Sequence, residues 1–128
     1  MAEKNKIYRC LICGAIIERI NSINSSLVCC DKPMTLLNEK IEDSKIEKHV
    51  PFVKKITSNK VLVKIGEEQT HPMLKEHYIQ FIEVICKDNS IFRKYLTYDD
   101  KPEFEFEISF ENILFVREYC NLHGLWRS

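Results

Sequence analysis

The sequence is poor in glycine and proline, with three and four residues in 128, and it carries no repeat or low-complexity segment; its composition is that of an ordinary soluble globular protein. No charge of one sign dominates. Nineteen basic and nineteen acidic residues cancel, which removes the basic excess that would draw in nucleic acid or an anionic membrane. No apolar run approaches the roughly 20 residues of a membrane span, and the opening residues lack the apolar core of a secretory signal. A cytoplasmic protein is expected, with neither nucleic acid nor membrane among its partners. The length allows one respectable core and a short appended module, not two full-sized domains.

What is present is a segregated set of metal-ligating side chains. Of six cysteines, Cys10, Cys13, Cys29 and Cys30 precede residue 31, whereas the four histidines, His49, His71, His77 and His123, all follow residue 48. Soft sulfur donors in one block and imidazoles in another suggest two metal sites of different character. In a reducing cytosol these cysteine spacings favour metal thiolates over disulfides.

Cys10-x-x-Cys13-Gly14 has the form of a metal-binding knuckle, in which glycine lets the chain turn and backbone N–H groups point at sulfur. Cys29 and Cys30 complete a set of four, but their adjacency predicts opened S–metal–S angles at that corner. Tetrahedral sulfur suits iron and zinc alike, so spacing alone does not separate them. So short a segment has little core of its own, and metal binding would supply much of its folding free energy.

Residues 36–47 are polar and charged and read as a linker or extended edge, with a boundary near residue 38. Beyond it come short apolar or alternating runs at 49–56, 60–65, 78–86, 90–98, 103–110 and 113–119. The clearest places Phe104, Phe106, Ile108 and Phe110 on one face and Glu103, Glu105, Glu107 and Ser109 on the other, the alternation of a half-buried strand. Turn signals separate the runs and helical period is weak. An antiparallel β-sandwich of about seven strands is expected. The aromatics and Trp126 read as core filling, and Cys86 as a buried strand residue.

Cys120 and His123 are two residues apart, which lets one tight turn aim a thiolate and an imidazole at a common point, with Gly124 freeing the backbone beyond. His49, His71 and His77 stand at strand or loop junctions. Any one of them alone is more often a surface or core histidine, but four imidazoles and one thiolate make five donors, more than a structural zinc site needs. A square-pyramidal iron, with four nitrogens in a plane and sulfur below, satisfies that count and leaves a sixth position open. Neutral imidazoles would keep the site cationic and attractive to anions. Lys48, next to His49 in sequence, reads either as a solvated lysine or as a positive charge at the mouth that holds a proton-delivering water; Glu47 reads as a surface carboxylate or as a group able to fill the open position.

Taken together, Cys10-x-x-Cys13-Gly14, Cys29-Cys30, Pro33-Met34, Glu47-Lys48-His49-Val50-Pro51, His71-Pro72-Met73, Glu76-His77-Tyr78-Ile79 and Cys120-Asn121-Leu122-His123-Gly124-Leu125-Trp126 resemble the two-iron superoxide reductases, the desulfoferrodoxins, over nearly the whole chain. The resemblance implies a mainly β protein. Residues 1–37 would form a desulforedoxin-like (rubredoxin-like) module with one iron on Cys10, Cys13, Cys29 and Cys30. Residues 38–128 would form an immunoglobulin-like sandwich with the active-site iron on His49, His71, His77, His123 and Cys120. It further implies one-electron reduction of superoxide to hydrogen peroxide, with Glu47 binding the oxidised resting iron and Lys48 assisting superoxide and water. An external donor such as rubredoxin and a homodimer are implied as well.

Two residues depart from the family pattern: Asp31 stands where glycine is common, and Phe81 where tryptophan is common, the latter expected to change packing only. Three rival readings predict different chemistry: superoxide dismutation at the same site, a zinc-binding structural module, and pure electron transfer through a closed iron site.

Overall fold

A computed structural model describes residues 6–21, 26–42, 49–67 and 70–128, and among these there is no α-helix. Among the described residues no helix is long and apolar enough to cross a membrane. The chain divides into two compact units, Met1–Asn38 and Glu39–Ser128.

In the first unit β1 (Lys6–Arg9) pairs antiparallel with β2 (Ile16–Arg19) on one side. The remaining pieces are two residues each. β3 (Val28–Cys29) and β4 (Lys32–Pro33) form a hairpin, and β5 (Thr35–Leu36) pairs with the other side of β1. The buried apolar side chains among its described residues are Ile7, Cys10 and Met34, while Leu11, Ile12, Ile20 and Val28 stay exposed. That is too little burial to hold so short a segment without a further staple.

The described residues of the second unit form a sandwich of seven antiparallel strands. Its strands in chain order are β6 (Pro51–Thr57), β7 (Lys60–Ile65), β8 (Ile79–Cys86), β9 (Ile91–Tyr95), β10 (Glu103–Phe106), β11 (Ile113–Cys120) and β12 (Gly124–Arg127). One sheet has the order β10-β7-β6 and the other β12-β11-β8-β9. On β7 the alternation is clean: Val61, Val63 and Ile65 are fully buried and their neighbours half-buried. These three join Ile79, Ile82, Val84, Phe106, Ile108, Val116 and Cys120 in one apolar core.

The strand expected over 103–110 ends at Phe106. Ile108 is still buried, but Phe110 is 43% exposed because the chain turns into a single 3₁₀ turn, Phe110–Asn112. The runs at 49–56 and 90–98 likewise shorten to β6 and β9. β12 was not among the expected runs: four residues beginning with glycine give too short a pattern to register as a strand. Lys40 lies beside it, donating its N–H to Leu125 O at 3.0 Å and accepting from Arg127 N–H at 2.9 Å, so the polar stretch after residue 36 does supply an extended edge.

Register also explains a buried charge cluster. Glu83 on β8 stands directly opposite Arg117 on β11 and Arg93 on β9. Its carboxylate accepts from Arg117 Nε on one oxygen and from Arg93 Nε, at 2.7 Å, on the other. Removing one member of such a buried pair typically costs about 3–5 kcal/mol. Phe81, on the same strand, stacks on Tyr119 at 5.9 Å and lies under the Arg93 guanidinium.

Candidate metal centres

Four cysteines converge in the first unit: the Sγ atoms of Cys10, Cys13, Cys29 and Cys30 lie within 4.8 Å of one another. Between β1 and β2 the chain folds into a knuckle in which Cys10 N–H donates to Ala15 O and Gly14 N–H to Cys10 O, each at 2.9 Å. Gly14, at φ +80°, occupies the left-handed region that the turn requires. Cys30 and Asp31 are the two turn residues of the β3–β4 hairpin, and both have positive φ, 52° and 61°. Left-handed backbone at both central positions is the requirement of a type I′ turn. This turn swings the adjacent Cys29 and Cys30 to a common point.

The Cys10 and Cys29 thiols are shifted in opposite directions. Backbone N–H groups of Cys13 and Ile12 hold the Cys10 thiol down to about 6, whereas hydrogen bonding with Cys13 and then Cys10 pushes Cys29 up to about 12. Four thiolates this close need a cation. The Cys13–Cys29 and Cys29–Cys30 sulfur separations, 3.6 and 3.9 Å, also fit one: metal–sulfur bonds of about 2.3 Å in a tetrahedron put sulfurs about 3.8 Å apart.

In the sandwich, His49, His71, His77, Cys120 and His123 bring five donor atoms within 4.8 Å of one another. Each comes from a different strand end or from a loop beside one. His49 precedes β6, His71 and His77 lie between β7 and β8, Cys120 ends β11, and His123 sits in the turn to β12. The four rings close a circuit in which neighbours meet edge to face, at 67° for His49–His71 and 80–84° for the other three pairs. Centroids are 4.6 Å apart for His49–His71, 4.8 Å for His71–His77, and 4.9 Å for both His77–His123 and His123–His49. His49 Nε2 and His123 Nδ1 are 3.1 Å apart, matching the ~3.0 Å between neighbouring nitrogens on a metal with bonds of about 2.1 Å at right angles.

Local structure aims these rings. Nδ1–H of His71 donates to Pro72 O at 2.7 Å, so a metal would take Nε2. Leu74 and His77 exchange two backbone hydrogen bonds across a tight turn, which sets His77. A register shift between Tyr119 and Cys120, a bulge against β8, re-aims Cys120. Its sulfur belongs to the fully buried core, whereas His77 is half-buried and His123 exposed. Sulfur thus enters from the interior and the ring belt reaches solvent.

Sequence reading missed three supporting residues. Asn121 clamps together the two loops that carry His77 and Cys120–His123: its Oδ1 accepts Tyr78 N–H and its Nδ2 donates to Glu76 O, both at 2.9 Å. An amide between Cys120 and His123 was the available signal. Trp126 is not merely core filling, since it stacks on His49 and donates Nε1–H to His123 O at 3.1 Å. Lys40 Nζ donates to the same carbonyl at 2.9 Å, and nothing in its polar surroundings in sequence marks it. Glu47 and Lys48 lie outside the described residues. Cys86, the sixth cysteine, is buried in β8, where desolvation and then Asp88 raise its pKa above the usual thiol value.

Comparison with known proteins agrees with this arrangement. Residues 2–37 match the family described as "Desulfoferrodoxin, N-terminal domain", and residues 41–128 match "Desulfoferrodoxin". A desulfoferrodoxin of Syntrophotalea carbinolica is 48% identical over 128 residues, covering 100% of this chain and 98% of the relative. A desulfoferrodoxin homolog of Methanothermobacter thermautotrophicus is 47% identical, covering 98% of this chain and 99% of its own. Among solved structures, the superoxide reductase from Treponema pallidum superposes with a TM-score of 0.79 at 26% identity, over 98% of both chains.

Proposed function

The chain belongs to the desulfoferrodoxin family, and from that premise we propose that it is a superoxide reductase whose working centre is an iron held by His49, His71, His77, His123 and Cys120. A ferrous ion there would supply the single electron that, with two protons, turns superoxide into hydrogen peroxide. A second iron would sit on Cys10, Cys13, Cys29 and Cys30. The observation that carries the reading is the closed circuit of four imidazoles with one buried thiolate beside it. A structural zinc site needs four ligands, and five donors exceed it.

The chain's own residues do the rest. Cys120 brings its sulfur from the apolar core, where a thiolate's electron density is not spent on hydrogen bonds to bulk water. With four neutral rings, only the Cys120 thiolate would offset the charge of a bound metal, so the site would stay cationic and attract an anion to the exposed side where His123 lies. Lys48, adjacent to His49 in sequence, adds a cation that draws superoxide in and holds a water for proton delivery. Glu47 supplies a carboxylate for the oxidised resting site. The electrons come from an external donor of the rubredoxin kind, the first unit serves as a relay or structural module, and the working form is a cytoplasmic homodimer.

Metal analysis with a visible spectrum tests this reading. Two iron per chain and separate ferric–thiolate bands from the two sites are expected, the histidine-site band shifting when azide is added. Two zinc and no visible absorption would contradict it, as would a histidine-site band that ignores azide.

A further inference from the structure

We infer that Lys40 is a positioning residue of the histidine centre, an inference that rests on reading that cluster as an iron site. Its backbone is fixed by β12 on both sides, through Leu125 O at 3.0 Å and Arg127 N–H at 2.9 Å. This places the side chain across the turn between β11 and β12. The ammonium donates to His123 O at 2.9 Å and stands 5.1 Å from the centroid of the Trp126 ring. The same carbonyl accepts Trp126 Nε1–H at 3.1 Å, and the face of that indole stacks on His49. One cation is thereby joined to two rings of the belt, to His123 through its carbonyl and to His49 through the tryptophan.

Two effects follow from this geometry. The peptide after His123 leads into Gly124 at φ +91°, a backbone with few steric limits. Two donors on the His123 carbonyl stop that peptide from rotating, and so hold the imidazole in the belt. The second effect is electrostatic. A fixed positive charge on the carbonyl of the ring's own residue opposes the gain of positive charge when the metal is oxidised, and therefore favours the reduced state. An exposed lysine paired with a carboxylate would add little; here the ammonium bonds a ligand's own carbonyl and lies on an aromatic face that limits its freedom.

The test uses the full chain loaded with iron, in wild-type form and as Lys40→Met and Lys40→Arg. Methionine keeps an apolar stem over Trp126 and removes the charge; arginine keeps both donor and charge. Two quantities are read: the midpoint potential of the histidine-site iron by spectrally monitored titration, and the affinity of that site for Zn²⁺ by chelator competition. Lys40→Met is expected to lower the potential and to weaken zinc binding roughly tenfold, Lys40→Arg to restore both, and the cysteine-site spectrum to stay unchanged throughout. A melting temperature that falls in Lys40→Met while potential and affinity keep their wild-type values would overturn the inference and leave the iron-site reading intact. A wild-type protein that takes no metal at the five donors would overturn both.

Discussion

His49 lies face to face with Trp126, ring centroids 4.6 Å apart and planes 13° from parallel. Because His49 adjoins both His71 and His123 in the belt, the indole sets the plane of one donor ring, and through its hydrogen bond to His123 O it helps fix the turn carrying another. Trp126→Leu keeps the site apolar but removes the stack and the donor. Metal affinity at the histidine site is expected to fall about tenfold, and folding stability by about 2–3 kcal/mol. Chelator competition and urea denaturation measure the two, with the cysteine-site spectrum as the internal control.

Asn121→Ala severs the clamp between the loop of His77 and the turn of Cys120 and His123. Leaving Tyr78 N–H and Glu76 O without their side-chain partner costs about 1–3 kcal/mol. Release of the histidine-site metal to excess chelator should accelerate. Equal release rates for variant and wild type would show that the backbone alone holds the loops together.

Asp31→Gly removes a side chain from a left-handed turn position at φ 61°, where glycine carries no Cβ penalty. The first unit is expected to gain about 0.5–1 kcal/mol, read as a higher temperature for loss of the cysteine-site absorption. Asp31→Val should shift the same transition downward, because a branched side chain tolerates that backbone poorly.

Lys48→Ala tests electrostatic capture. Superoxide is an anion, so loss of the cation that precedes His49 in sequence should slow its second-order reaction with the reduced protein roughly tenfold at low salt. The dependence of that rate on ionic strength should also flatten. Stopped-flow or pulse radiolysis across a salt series gives both; an unchanged rate and slope remove Lys48 from the mechanism.

The donors were legible in the sequence because metal chemistry restricts them to few residue types: segregated cysteines and histidines, with Cys120 and His123 two apart, marked all nine side chains that the two clusters gather. The sandwich was legible through alternation in runs such as Glu103 to Ile108, and failed at Phe110, where a 3₁₀ turn carries an aromatic outward without changing the pattern of residue types. β12 was missed for lack of length. Lys40 and Asn121 could not be assigned their contacts, because their partners lie 83 and 43–45 residues away in sequence and are set by sheet register, which no local pattern encodes.

The most direct test of the account is the stoichiometry of the reaction itself. Protein reduced at the histidine site is exposed to a measured quantity of superoxide while hydrogen peroxide, dissolved oxygen and oxidised donor are followed together. The account predicts one peroxide formed and one donor electron consumed for each superoxide, with no oxygen released. Oxygen evolution at one molecule for every two superoxide anions, with the donor untouched, would identify a dismutase and contradict it.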